Sequence, residues 1–161
     1  MRVKKGAEHR PSFLLLDDDE TWLRSLSRFL RVRAKADCVT HTTPEPVFAA
    51  LDRGPRPQLC IIDYALGAGW TGARVARALR ERLGRRTPTL VLLSGSLEDV
   101  SDRERGYFDA VYSKSINPDV LLEELRRLTE PAARQPRSYL RLTPAGRAEA
   151  REAARKRRKS E

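Results

Sequence analysis

The sequence predicts an α/β domain built on a doubly wound parallel sheet. Short apolar runs recur along the first 130 residues and alternate with stretches in which apolar residues return every three or four positions. Two of these runs, FLLL at 13–16 and LCII at 59–62, show no polar alternation, as strands buried on both faces require. Both runs stop in carboxylates, the first in Asp17, Asp18 and Asp19, the second in Asp63. Ligands of open α/β sheets gather outside the carboxyl ends of the strands. Acids delivered there make a site for a hard cation and for chemistry on phosphate.

Each element follows in order. The first strand is 13–16. A helix over about 21–34 carries Trp22, Leu23, Leu26, Phe29 and Leu30 at helical spacing, with Trp22 assigned to the core. Asp19 and Glu20 suit its N-terminus, where the helix dipole favours negative charge. A short strand is expected at 38–42. Thr43-Pro44-Glu45 opens a second helix with Thr43 as N-cap and proline in the first turn. Val47, Phe48 and Leu51 form its apolar side, and RGPRP at 53–57 breaks it. The third strand is 59–62. The loop GAGWTG at 67–72, with Trp70 expected on the surface, leads into a helix that aligns Val75, Ala76, Leu79 and Leu83. The fourth strand, 89–93, ends in Ser94-Gly95-Ser96. The polar stretch EDVSDRERG predicts a short or frayed fourth helix. The fifth strand, 110–113, is followed by Lys114. Asn117-Pro118-Asp119 caps a last helix bearing Leu121, Leu122, Leu125 and Leu128. Five strands alternating with five helical segments give the doubly wound pattern.

Charge divides the chain further. Residues 1–10 form a basic lead, 11–130 the domain and 131–161 a basic tail. Of the formal net charge of +10, residues 1–11 carry +3 and residues 131–161 carry +7, so the compact part is neutral. Any weak binding to nucleic acid or to an acidic partner would rest on the basic ends, the tail above all, and not on the domain; a solvated tail is the reading its composition favours. The tail has only Tyr139, Leu140 and Leu142 as large apolar residues and cannot build a core. As a helix, GRAEAREAARKRRK would put Arg147, Arg151, Arg155 and Arg158 on one solvated face. Cys38 and Cys60 lie in apolar runs without metal-ligand spacing, as expected of reduced thiols. No apolar run near the N-terminus is long enough for a leader or a membrane span, so a cytoplasmic location without membrane contact is expected.

The strand ends, taken together, bring Asp17 and Asp18, Asp63, Ser94 with the Gly95 N–H, and Lys114 to one edge. A few carboxylates, a backbone carbonyl and a phosphoryl oxygen suit Mg²⁺. Lysine acts as a point charge for phosphate, and a hydroxyl can donate to a phosphoryl oxygen. In this order the residues resemble the response-regulator receiver domain, the CheY-like family of two-component signalling, over roughly 11–130. The resemblance implies a flavodoxin-like sheet of strand order 2-1-3-4-5. It implies Asp63 as phosphoacceptor, with Mg²⁺ held by Asp17 (mostly through water), Asp18, Asp63 and the backbone carbonyl of Ala65. It assigns phosphoryl contact to Ser94, Gly95 and Lys114, and implies no catalytic residue beyond self-catalysed transfer. A histidine kinase or phosphotransfer protein would be the donor. A downstream protein target, docking on the last two strand–helix units, would be the output, since no catalytic or DNA-reading domain is recognisable in the chain. Ala65 has no side chain to position a hydrolytic water, so slow self-dephosphorylation is expected.

The chain departs from the family's pattern in places. Ser115 stands where the family usually has proline after the lysine. The switch aromatic's position, three before Lys114, is Val111; the neighbouring Tyr112 faces the other side of the strand. A non-standard output switch is expected. Three alternatives remain. DDDET at 17–21, LLSG at 92–95 and Lys114 also match the motifs of haloacid-dehalogenase-like phosphatases, which would make Asp17 the nucleophile but leave Asp63 without a role. YLRLTPAGR at 139–147 faintly resembles the end of a winged helix, but the 31 residues after Glu130 are too few and too polar to form one, which leaves a DNA-associated regulator with a basic arm. A pseudo-receiver would act as a scaffold without phosphorylation.

Overall fold

Leu14, Leu15, Leu16, Leu59, Cys60, Ile61 and Ile62 are all buried, because helices cover both faces of the sheet they form. The computed structural model describes residues 10–130. Among them the order is β1 (Ser12–Leu16), α1 (Glu20–Arg33), β2 (Asp37–His41), α2 (Pro44–Arg53), β3 (Leu59–Ile62), α3 (Gly72–Leu83), β4 (Thr89–Ser94), α4 (Asp102–Arg105), β5 (Ala110–Ser113) and α5 (Pro118–Thr129), with 3-10 turns at Gly84–Arg86 and Leu97–Asp99. The five strands pair in parallel in the order β2-β1-β3-β4-β5, the order expected of the sequence. The predicted basic lead and tail lie outside the described residues, apart from Arg10.

Alternate residues of each strand feed two cores. Leu14, Leu16, Cys60, Ile62, Leu90 and Leu92 meet Val47 and Leu51 of α2 and Val75, Ala76 and Leu79 of α3. Phe13, Leu15, Ile61, Val91 and Leu93 meet Leu23, Leu26 and Leu30 of α1 and Leu121 and Leu125 of α5. Each fully buried leucine contributes about 1.5–3 kcal/mol relative to exposure. The helix patterns read from the sequence therefore point where they were expected. Trp22, like Phe29, is half-buried and packs against the second core from α1. Trp70 is also half-buried, 5.9 Å from the Phe48 ring and under the Arg74 guanidinium.

Local chemistry sets the helix ends. Asp19 caps α1, accepting from the N–H groups of Thr21 and Trp22 at 2.8 and 3.0 Å. Asn117 caps α5 through Asp119 and Val120. Thr43 occupies the N-cap of α2 with extended backbone, as expected of the sequence, though its side chain makes no capping bond. Pro44 and Pro46 remove two of the first three N–H groups, which leaves the hydroxyl little to accept from. α4 is a single turn, as its polar sequence predicts, closed by a Ser101–Glu104 capping box.

One glycine is fixed by close approach. Gly72 opens α3 directly against the backbone of Asp63, and its N–H donates to the Tyr64 carbonyl at 2.7 Å. A Cβ there would overlap the Asp63 carbonyl oxygen. Gly72→Ala is expected to cost about 1–3 kcal/mol by overpacking. Urea unfolding should show this as a lower midpoint at unchanged slope.

Candidate functional site

Backbone ladders carry each candidate side chain to the carboxyl edge of the sheet. The Asp17 N–H donates to the His41 carbonyl at the end of β2, at 3.2 Å, and the Asp63 N–H to the Leu16 carbonyl, at 2.8 Å. The Lys114 N–H donates to the Ser94 carbonyl, at 2.8 Å. Each residue thus lies one step beyond the pairing of its strand, held by a neighbour and turned out of the core.

Asp17 and Asp63 are buried, with 3% and 6% of their surface exposed. Asp18 is exposed, although the sequence reading placed both members of the pair at the buried edge. A strand that ends at Asp17 releases the next residue to solvent. Asp18 still joins the group: one oxygen of each of Asp17, Asp18 and Asp63 lies within 4.8 Å of the others. Among the described residues this is the one cluster of three acidic, histidine or cysteine side chains with that spacing. Lys114 places its Nζ 2.6 Å from Asp17 Oδ2 and 3.3 Å from Asp63 Oδ1, so its shorter contact is to Asp17. The ammonium also lies 5.2 Å from the Trp22 ring centre.

Three carboxylates against one ammonium leave negative charge uncompensated. Burial is the main cause that pushes the Asp63 carboxyl up, and the Asp17 charge adds to it. Lys114 and the Tyr64 N–H pull the other way, and the balance stands at about 6. Burial also disfavours the charged form of Lys114, but its bonds to Asp17 and the Asp63 charge outweigh that, and its pKa is raised. The donor set fits a hard divalent cation: carboxylate oxygens grouped closely enough to share one ion, with charge to spare.

The side chains of the remaining predicted residues make no hydrogen bond to this cluster. Ser94 is buried, and its Oγ faces its own loop, donating to the Ser96 carbonyl and accepting from the Ser96 N–H at 3.3 Å. Gly95 is exposed with open space where a Cβ would stand. Ala65 is exposed and forms an isolated bridge with Thr71 across the loop after β3. Tyr112 faces away from the site, donating to Glu124 of α5 at 3.1 Å, while Val111 packs on the opposite face.

Two participants escaped the sequence reading. Trp22 beside Lys114 was assigned to the core; its place four residues after Asp18, in the first turn of α1, is the signal that could have put it at the edge. Tyr64, directly after Asp63, donates to Glu104 of α4 at 3.1 Å and ties the loop after β3 to that helix.

No family model matches the sequence, and no curated protein matches it. Solved structures do match. A CheY-like receiver domain protein from Methanospirillum hungatei JF-1 is 18% identical, with 75% of this chain and 94% of that chain covered and a TM-score of 0.64. The chain has the fold of a CheY-like receiver domain. A chemotaxis response regulator of Vibrio cholerae is 20% identical over 74% of this chain and 99% of that one, with a TM-score of 0.63. The signal receiver domain of an HD domain-containing protein from Pseudomonas fluorescens Pf-5 is 20% identical over 76% and 89%, with a TM-score of 0.66. Among the described residues of this receiver fold, no helix is long and apolar enough to cross a membrane.

The raised pKa of Asp63 makes stability depend on pH. The folded state holds the proton more tightly than the unfolded state, whose carboxyl titrates near 3.8. Asp63 therefore destabilises the metal-free fold above about pH 6, and the penalty disappears as pH falls toward 4. In EDTA at pH 7.5, Asp63→Asn should raise the unfolding free energy by roughly 1–3 kcal/mol, with little difference from wild type near pH 4. Equal stability of the two proteins at pH 7.5 would contradict this.

Proposed function

We propose that this protein is a response regulator that accepts a phosphoryl group on Asp63. The observation that carries the reading is the position of the Asp63 carboxylate, buried at the carboxyl edge between Lys114 and the acids Asp17 and Asp18. The receiver fold supports it.

Mg²⁺ would be held by Asp17, Asp18, Asp63 and the Ala65 carbonyl, and when bound it supplies positive charge to a phosphoryl group. The chain's own groups do the rest. With its pKa near 6, the Asp63 carboxyl is mostly ionised at neutral pH and is available as nucleophile. One Asp63 oxygen forms a bond to phosphorus while the bond from phosphorus to the donor breaks, the electron pair leaving with the donor's imidazole or acyl oxygen. Lys114, already within reach of Asp63, stabilises charge on the transferring group. The Ser94 hydroxyl turns from Ser96 toward the phosphoryl oxygens, and the Gly95 N–H donates beside it. Desolvation of Asp17 and Asp63 by the core excludes water from the acids' inner side. The donor is a histidine kinase or phosphotransfer protein, and the output is altered binding of a protein target. With Val111 at the usual switch position, the contact from Tyr64 to Glu104 is the link that joins the Asp63 loop to α4.

Intact mass after incubation with acetyl phosphate and Mg²⁺ tests the reading. One phosphoryl adduct is expected, absent in EDTA and absent in Asp63→Asn. Lys114→Ala should slow its formation by about 100-fold, the usual cost of one transition-state charge contact. No adduct in the wild type would favour a scaffold, and an adduct that survives Asp63→Asn but not Asp17→Asn would favour the phosphatase-like reading.

A further inference from the structure

A neutral domain need not be electrically uniform, and this one is not. The loops that enter β3 and β4 lie side by side at the amino-terminal edge of the sheet, opposite the acidic site. Register pairs Leu59 with Thr89, and the Thr89 N–H donates to the Gln58 carbonyl at 3.2 Å. The first loop is RGPRP and the second, after α3, is GRRTP. Together they bring Arg53, Arg56, Arg85 and Arg86 to this edge without one acidic residue in either stretch.

Three acids that flank these loops or the neighbouring strand entries are already engaged. Asp52 pairs with Arg82, Asp37 with Arg10 and Asp109 with Arg80. Arg53, Arg85 and Arg86 are exposed, and no salt bridge among the described residues involves them or Arg56. The helix dipole explains a basic residue in a last turn, such as Arg53. It does not explain Arg56, Arg85 and Arg86, which lie beyond the ends of α2 and α3. Prolines at 55, 57 and 88 stiffen the backbone of both loops, which lowers the backbone entropy lost on docking; Arg56 is half-buried, its Nε enclosed without a hydrogen-bond partner.

The surroundings select the kind of partner. A protein interface is built around buried aromatic or aliphatic anchors, and membrane binding needs apolar side chains to insert. Neither loop has an exposed large apolar residue; those of the described chain are Val32, Val39 and Val120. Single-stranded nucleic acid is held by stacking on aromatic rings, and neither loop has one. What remains is a polar, strongly positive surface of guanidinium forks, the chemistry that recognises duplex phosphates. Arg10 enters β1 at this edge as well, and Arg126 of α5 donates to the Arg33 carbonyl, the last of α1.

We propose that the amino-terminal edge of the sheet, through Arg53, Arg56, Arg85 and Arg86, docks on the phosphate backbone of duplex DNA. The contact is sequence-independent and separate from phosphorylation at Asp63. The test is fluorescence anisotropy of a short labelled duplex with the full chain, over a series of salt concentrations. Arg53→Gln/Arg56→Gln/Arg85→Gln/Arg86→Gln should bind at least about 10-fold more weakly at low salt, and the slope of log K against log salt should fall by about 3–4. Arg85→Gln/Arg86→Gln alone should lose about half of that slope change, which covers the case in which the fourfold variant does not fold. Arg24→Gln/Arg28→Gln, on the exposed side of α1, should bind as wild type does. Unchanged binding by the loop variants, with loss on Arg155→Gln/Arg157→Gln/Arg158→Gln, would assign the contact to the tail and overturn the proposal. So would binding of polyglutamate or of phosphatidylglycerol vesicles as tight as that of the duplex, or an equal loss in the α1 variant.

Discussion

Parallel pairing of five buried strands is the constraint from which the rest of this molecule follows. A parallel neighbour can be reached only by a crossover, so every strand leaves at one edge of the sheet and every return enters at the other. Residues one step past β1, β3 and β5 then converge although they are far apart in sequence: carboxylate oxygens of Asp17 and Asp63 stand 2.6 and 3.3 Å from the Lys114 ammonium. The same rule collects the entry loops of β3 and β4, and with them four arginines, at the opposite edge. A chain section with balanced charge is thereby divided into an acidic edge and a basic one.

The acidic edge is costly in isolation. Two buried carboxylates so close together repel, and burial raises the energy of each ionised form. Lys114 offsets part of this, held by the backbone bond from its N–H to Ser94 and by contact with the Trp22 face. What Lys114 leaves uncompensated appears as the raised pKa of Asp63. A strained arrangement of this kind is stabilised by any ligand that brings positive charge to it. That is the physical tie between the site's instability when empty of cation and its suitability for chemistry on phosphate.

Much of the fold was legible because strand and helix burial leave periodic traces. The continuous runs at 13–16 and 59–62 declared strands covered on both faces, and Leu121, Leu122 and Leu125 declared the inner side of α5. The alternation of Val111 and Tyr112 was sufficient to say that Tyr112 cannot replace an inward switch aromatic, and its bond to Glu124 on the α5 side agrees. Local readings went part of the way. Thr43 holds the N-cap position of α2, as its sequence indicates, but beside Pro44 and Pro46 its hydroxyl makes no capping bond. Trp22 packs partly against the core, as its spacing indicates, and also lies 5.2 Å from the Lys114 ammonium, which spacing does not show.

The sequence by itself determined the order and type of the elements, the strand ends at which acids and lysine occur, and the shortness of α4. Those are properties of apolar period and local propensity, which are written in neighbouring residues. Tertiary structure alone decided that Asp18 is exposed while Asp17 is buried, that Lys114 leans closer to Asp17 than to Asp63, that Gly72 must lack a Cβ to lie against Asp63, and that a neutral domain has a basic edge. Each of these depends on distances between residues remote in the chain. Composition and spacing do not encode such distances until the sheet has closed on its helices.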